Sequence, residues 1–181
     1  MNLRLVSRIG ALAALFALPL AAPAVAAAEL AAGAPAPAFR LQDQHDAWIS
    51  LADSKGKWVV LYFYPKDSTP GCTTEGQNFR DRHQAFLAAN TKVIGISRDS
   101  LKSHENFKAK MAFPFELLSD TDETVCALFG VIKMKNMYGK QVRGIERSTF
   151  LIDAEGKVAR EWRGLKVPGH VDEVLEAAQA L

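Results

Sequence analysis

The run Trp58-Val-Val-Leu-Tyr-Phe-Tyr64 places seven apolar, aromatic or β-branched residues in succession, and Pro65 closes it. A strand without a polar face must be covered on both sides, so this run calls for a central sheet with layers packed above and below it. A loop containing Ser68, Thr69, Pro70 and Gly71 follows and delivers Cys72 to the mouth of an amphipathic stretch. Within residues 73–90, Phe79, His83, Phe86 and Leu87 recur at helical spacing, which predicts one helix of about eighteen residues.

Apolar runs and amphipathic stretches continue to alternate. Residues 92–97 read as a strand, and 100–110 as a helix with Leu101, His104, Phe107 and Lys108 on one side. Residues 115–118 make a short strand and 122–129 a helix opened by acidic residues. Residues 148–152 and 157–162 flank the turn Asp153-Ala-Glu-Gly156 as a hairpin, and 171–181 close the chain as a helix. Strand, helix, strand, helix, then hairpin and helix, predicts an α/β fold of thioredoxin-like order. It has parallel βαβ pairing, one antiparallel pair and helices on both faces of a mixed sheet. A flavodoxin-like sheet would begin the same way, and the hairpin near the C-terminus separates the two.

The first 28 residues stand apart. Arg4 and Arg8 precede an apolar stretch from Ile9 to Val25, interrupted by Gly10, Pro19 and Pro23, and Ala24, Ala26 and Ala28 supply two overlapping A-x-A cleavage sites. This pattern predicts a cleavable secretory signal over residues 1–28, a mature N-terminus at Ala27 or Glu29, one domain over 29–181 and a periplasmic location. The other reading is an uncleaved N-terminal anchor; no Cys stands near the site to make it a lipoprotein signal. Residues 31–38, with Pro35 and Pro37, read as a linker into the domain.

The 181 residues carry 22 Lys and Arg against 20 Asp and Glu and are 49% apolar. That balance excludes a disordered chain, and the length removes any need for a disulfide scaffold. Loss of residues 1–28 removes Arg4 and Arg8 but no acid, leaving 20 basic and 20 acidic residues, so attraction to nucleic acid has no electrostatic basis. The sequence contains neither G-x-G-x-x-G nor a P-loop, and His45, His83, His104 and His170 show no metal-ligand spacing and read as core or surface residues.

Chemistry concentrates around Cys72. Free N–H groups and the positive end of the macrodipole at a helix N-terminus favour thiolate over thiol, and the same donors hold an oxyanion. The alternative is a small buried apolar residue. Thr69 offers a hydroxyl three residues earlier, or else an N-cap. Pro65 removes an N–H and shields the thiol, or merely stops the strand.

The string Phe63-Tyr-Pro-Lys-(x)3-Pro-Gly-Cys-Thr-x-Glu75 resembles the active-site loop of the peroxiredoxin family, in its peroxiredoxin Q or bacterioferritin-comigratory subgroup. The likeness continues through Leu118-Ser-Asp120, Phe129-Gly-Val131 and Gly144-Ile-Glu-Arg-Ser-Thr-Phe-Leu-Ile-Asp153. It runs from about Gly33 to the C-terminus. The resemblance implies a thioredoxin fold and a thiol-dependent peroxidase that reduces hydrogen peroxide or alkyl hydroperoxides, without metal or prosthetic group. It makes Cys72 the peroxidatic residue and Arg147 the cation at its sulfur, with Arg143 as the nearby rival. Glu75 pins that arginine or simply complements the helix dipole.

Regeneration departs from the subgroup pattern. The position five residues after Cys72 is Gln77, and residues 100–110 contain no Cys. Cys126 is the other thiol, either a buried structural residue or a resolving one. The resemblance therefore implies a single-Cys cycle with an external reductant, thioredoxin-like, glutaredoxin-like or a small thiol, in a monomer or weak dimer. Two other classes stay open: a disulfide oxidoreductase, which lacks its second sulfur in Cys72-Thr-Thr-Glu75, and an exported domain holding a Cys72–Cys126 disulfide.

Overall fold

The computed structural model describes residues 30–137 and 139–180. The leader and cleavage sites expected from the sequence, and Leu181, lie outside them. The apolar run becomes β3 (Trp58–Phe63), which pairs parallel with β4 (Thr91–Ser97) on one side and antiparallel with β8 (Ser148–Ile152) on the other. Around this centre lie β1 (Arg40–Asp43), β2 (Trp48–Ser50), β5 (Glu116–Ser119) and β9 (Val158–Arg163). They complete a seven-stranded sheet of order β2-β1-β5-β4-β3-β8-β9.

Strand alternation sends β3 into two cores. Val59, Leu61 and Phe63 join Ile94, Ile96 and Phe150 under α4 (Thr124–Leu128), while Val60, Tyr62 and Tyr64 face the opposite side. That side is covered by α1 (Pro70–Asp81), α2 (His83–Ala88), α3 (Leu101–Met111) and α5 (His170–Gln179), which contribute Phe79, Phe86, Phe107 and Val174. Each fully buried side chain of this size contributes about 1.5–3 kcal/mol relative to exposure. The mixed, helix-flanked sheet is the thioredoxin-like arrangement.

Several local expectations are corrected. The single helix over 73–90 is two, broken at Arg82 (φ −97°, ψ 0°), because apolar spacing runs on across the break. The break resets the helical phase, leaving Phe79 and Phe86 buried but Leu87 half exposed. Helix α1 begins three residues early, with Pro70 at its first position, where the missing N–H costs nothing. More than one strand pair is antiparallel: β8 is antiparallel to both neighbours, and β1 to β2 and β5. The expected linker is pinned to the sheet, since Gly33 N–H donates to Val158 O at 2.7 Å and Val158 N–H to Ala34 O at 2.9 Å. A separate ribbon of β6 (Ile132–Met137) and β7 (Lys140–Ile145), for which the sequence pattern shows no signal, leads into β8. Lys133, Met134, Gln141 and Val142 are exposed, so it has little buried face to produce an alternating pattern.

Candidate active site

The loop after β3 is shaped by residues with distinct backbone tasks. Ser68 adopts a left-handed φ of 58°, Thr69 is extended at the N-cap of α1, and Pro70 opens the helix. The first helical bond runs from Thr73 N–H to Thr69 O at 2.9 Å. The N–H groups of Gly71 and Cys72 precede it and have no intrahelical acceptor. Cys72 therefore stands within the first turn, 2% exposed, rather than ahead of the helix. Thr69 occupies the N-cap position but makes no capping bond; its hydroxyl donates to Lys66 O at 2.9 Å, leaving its lone pairs available. Pro65, half-buried, begins this loop.

Sheet register brings the cation. Ser148 pairs with Phe63, so Arg147, one residue before β8, arrives beside the end of β3. Its Nη2 donates to Cys72 Sγ at 3.2 Å, and its Nη1 donates to Glu75 Oε2. Glu75 is three residues beyond Cys72, on the same face of α1, and fully buried. Burial raises its carboxyl to about 7, with Arg147 pulling the other way. For Arg147 burial disfavours the charge, but Glu75 and the Cys72 sulfur outweigh it and raise the guanidinium above its usual range. Arg143, the rival, is directed instead at Glu123, which also accepts from Arg98 Nη1 at 2.6 Å. Gln77 makes a 3.7 Å contact from Nε2 to Met111 Sδ.

The two thiols are both free and lie on opposite faces of the sheet, Cys72 among Tyr62 and Phe79, Cys126 among Phe63 and Phe129. Burial, then the hydrogen bond and charge of Asp120, push the Cys126 thiol far above its ordinary range. Asp120 starts α4 by accepting Val125 N–H at 3.1 Å and Cys126 N–H at 2.7 Å. The histidines do not converge: His45 is exposed, His83 half-buried, His170 bonds Thr149 Oγ1 at 2.8 Å, and His104 bonds Asp67. Asp67 gives no signal as a site residue in the sequence pattern, though it lies within the Cys72 loop.

A thioredoxin-like sheet carrying a thiol in the first turn of a helix, with an arginine at its sulfur, defines a thiol-dependent peroxidase. The AhpC/TSA family pattern matches residues 32–161. A peroxiredoxin Bcp of Xanthomonas campestris is 61% identical over 72% of this chain and 82% of its own length, and that of Bacillus subtilis 49% identical over 80% and 92%. A solved structure of the Xanthomonas campestris bacterioferritin comigratory protein, described for its alkyl peroxide reduction activity, superposes with a TM-score of 0.75. It is 54% identical, over 78% of this chain and 90% of that one. This chain belongs to the peroxiredoxins, among the Bcp or peroxiredoxin Q proteins of the AhpC/TSA family.

Proposed function

We propose that Cys72 is the peroxidatic residue of this peroxidase, acting on hydrogen peroxide and on alkyl hydroperoxides; alkyl peroxide reduction is the activity described for the Xanthomonas relative. The Cys72 thiolate attacks the terminal oxygen of ROOH and the O–O bond breaks. Cys72 becomes a sulfenic acid, and the departing RO− takes a proton from solvent and leaves as alcohol or water. The observation that carries this reading is the Arg147 guanidinium, held 3.2 Å from the sulfur and anchored by buried Glu75. There its charge stabilises the thiolate and the negative oxygens of the transition state. The Thr69 hydroxyl, already donating to Lys66 O, acts as acceptor for the peroxide O–H. The N–H groups of Gly71 and Cys72 face developing negative charge, and Pro65 adds no competing donor.

An external thiol regenerates the enzyme. It condenses with the sulfenic acid to a mixed disulfide, releasing water, and a second thiol frees Cys72 by exchange. The opposite placement of Cys126 supports this, because a disulfide requires Cα atoms within about 7 Å. The cysteines replaced in two Xanthomonas peroxiredoxin Q variants stand 36 positions apart in that protein; the same interval from Cys72 falls on Lys108, which pairs with Glu116 at 2.8 Å. The protein works as a monomer or weak dimer, and residues 1–28 direct it to the periplasm as a cleaved leader. An intact mass retaining Met1 in the native protein would contradict export with cleavage.

Stopped-flow oxidation by hydrogen peroxide tests the chemical assignment. Cys72→Ser abolishes peroxide consumption, whereas Cys126→Ser leaves the first oxidation within a few-fold of the parent. Equal loss in both variants overturns the assignment.

A further inference from the structure

Beneath the Cys72 loop lies a buried polar cluster that the chemistry above does not use. Asp67, 6% exposed, sits five residues before Cys72, and its carboxylate collects three partners from two places in the fold. Tyr64, just beyond β3, donates its hydroxyl to Oδ1 at 2.8 Å; Ser103 on α3 donates to Oδ2 at 2.7 Å; His104 Nδ1 meets the same Oδ2 at 2.9 Å. His104 is fully buried, and its Nε2 faces Leu118 O on β5 at 3.2 Å, so both ring nitrogens are aimed at acceptors. The Asp67 backbone is tied as well, its N–H donating to Asp99 Oδ2 at 2.9 Å, an oxygen that also accepts Ser97 Oγ at 2.7 Å.

The position of this anchor gives it meaning. Ser68, next in the chain, takes a left-handed backbone that a residue with a side chain adopts only when its surroundings impose it. Thr69 and Cys72 follow, and the loop is exposed at Lys66 and Ser68. A carboxylate and a backbone N–H buried at one point of an otherwise exposed loop clamp it to α3 and to the ends of β3 and β4. Both the Thr69 hydroxyl and the helical start at Pro70 are measured out from that clamp.

We propose that Asp67 and His104 are positioning residues of the peroxidase, holding the loop so that the Thr69 hydroxyl and the first-turn N–H groups stand at the peroxide oxygens beside Cys72. The inference rests on Cys72 as the residue that peroxide oxidises. Misplacement of such groups by about 1 Å costs on the order of 10² in rate. A purely stabilising cluster leaves the rate of the folded protein unchanged.

Two reactions of the same sulfur, measured on the full prereduced protein, separate these roles. Peroxide oxidation needs placed oxygen-binding groups, whereas iodoacetamide alkylation reads the thiolate and its access. In Asp67→Asn and His104→Gln, peroxide oxidation falls 10- to 100-fold while alkylation stays within about threefold of the parent. Tyr64→Phe removes one donor to Asp67 and a 3.4 Å approach to His104 Nδ1 but leaves the contact between Asp67 and His104, so it provides the decisive variant should the others fail to fold. It lowers peroxide oxidation at least threefold with alkylation unchanged. Peroxide rates within threefold of the parent in the folded Asp67 and His104 variants, or below a threefold loss in Tyr64→Phe when only that variant folds, overturn the proposal. So do peroxide and alkylation rates that fall by the same factor. A parent protein whose Cys72 is not oxidised at all removes the underlying reading instead.

Discussion

Arg147 Nη2 lies 3.2 Å from Cys72 Sγ although the two residues are 75 positions apart in the chain. The antiparallel register of β3 and β8 makes the meeting, since it aligns the start of one strand with the end of the other. The guanidinium forks, one nitrogen to the sulfur and one to Glu75. A lysine carries the charge but not the fork. Arg147→Lys is therefore expected to lower the second-order rate of peroxide reduction on the order of 10²-fold, the usual effect of losing one such donor. A loss below threefold in a stopped-flow assay would contradict a two-point role.

Glu75 yields a pH signature. Burial raises its carboxyl to about 7 in the folded protein, while an unfolded glutamate titrates near ~4.3. Between those values the folded state holds the extra proton. Its contribution to stability is thus complete below the unfolded value and is lost as pH rises through about 7. Glu75→Gln has no such proton to lose. From pH 5 to pH 8 the parent should lose stability relative to the variant by on the order of 2 kcal/mol, measured by urea unfolding at both pH values. Parallel stability profiles would refute the buried-acid account.

Two glycines of α1 separate rate from stability. A methyl group on Gly71 would stand 3.3 Å from Arg147 Nη2, tight enough to shift the guanidinium by a few tenths of an ångström relative to the sulfur. One on Gly76 would collide with the Phe113 ring. Gly71→Ala is predicted to keep the fold and lower the peroxide rate about tenfold, within the range that about 1 Å of misplacement costs. Gly76→Ala should lose about 1–3 kcal/mol by overpacking, seen as a lower unfolding midpoint. Exchange of the two phenotypes would show that the site is built differently.

Thr69 makes no capping bond, so removal of its hydroxyl should affect peroxide more than helix stability. Thr69→Val is expected to cost on the order of 10²-fold in rate, and Thr69→Ser, which keeps the oxygen, to stay within a few-fold. Comparable losses in both variants would mean that shape, not the hydroxyl, matters.

The same physics explains what could be read from sequence. The β3 run was legible because both of its faces are buried, leaving no polar position to disguise it. The Cys72 loop was legible because its residues are contiguous. The break at Arg82 was not, since the apolar spacing of Phe79 and Phe86 suits one helix as well as two. The β6–β7 ribbon escaped because so much of it is exposed, and the pinned segment near Pro35 because its hydrogen bonds are all main-chain. A choice between Arg143 and Arg147 needed the β3–β8 register. Asp67 and His104 are 37 residues apart, and His104 looked like one member of an apolar helical stripe. Tertiary placement alone turns them into a clamp.

The proposed chemistry leaves the oxidised state on Cys72 alone. The prereduced parent protein, given one equivalent of hydrogen peroxide with dimedone present, is digested without reductant and mapped by mass spectrometry. A dimedone adduct is expected on Cys72 and, with excess peroxide and no dimedone, sulfinic acid at the same residue, with Cys126 unmodified. A dominant, quickly formed Cys72–Cys126 disulfide would contradict it, since α1 or α4 would then have to unwind to bring together two thiols held on opposite faces of the sheet.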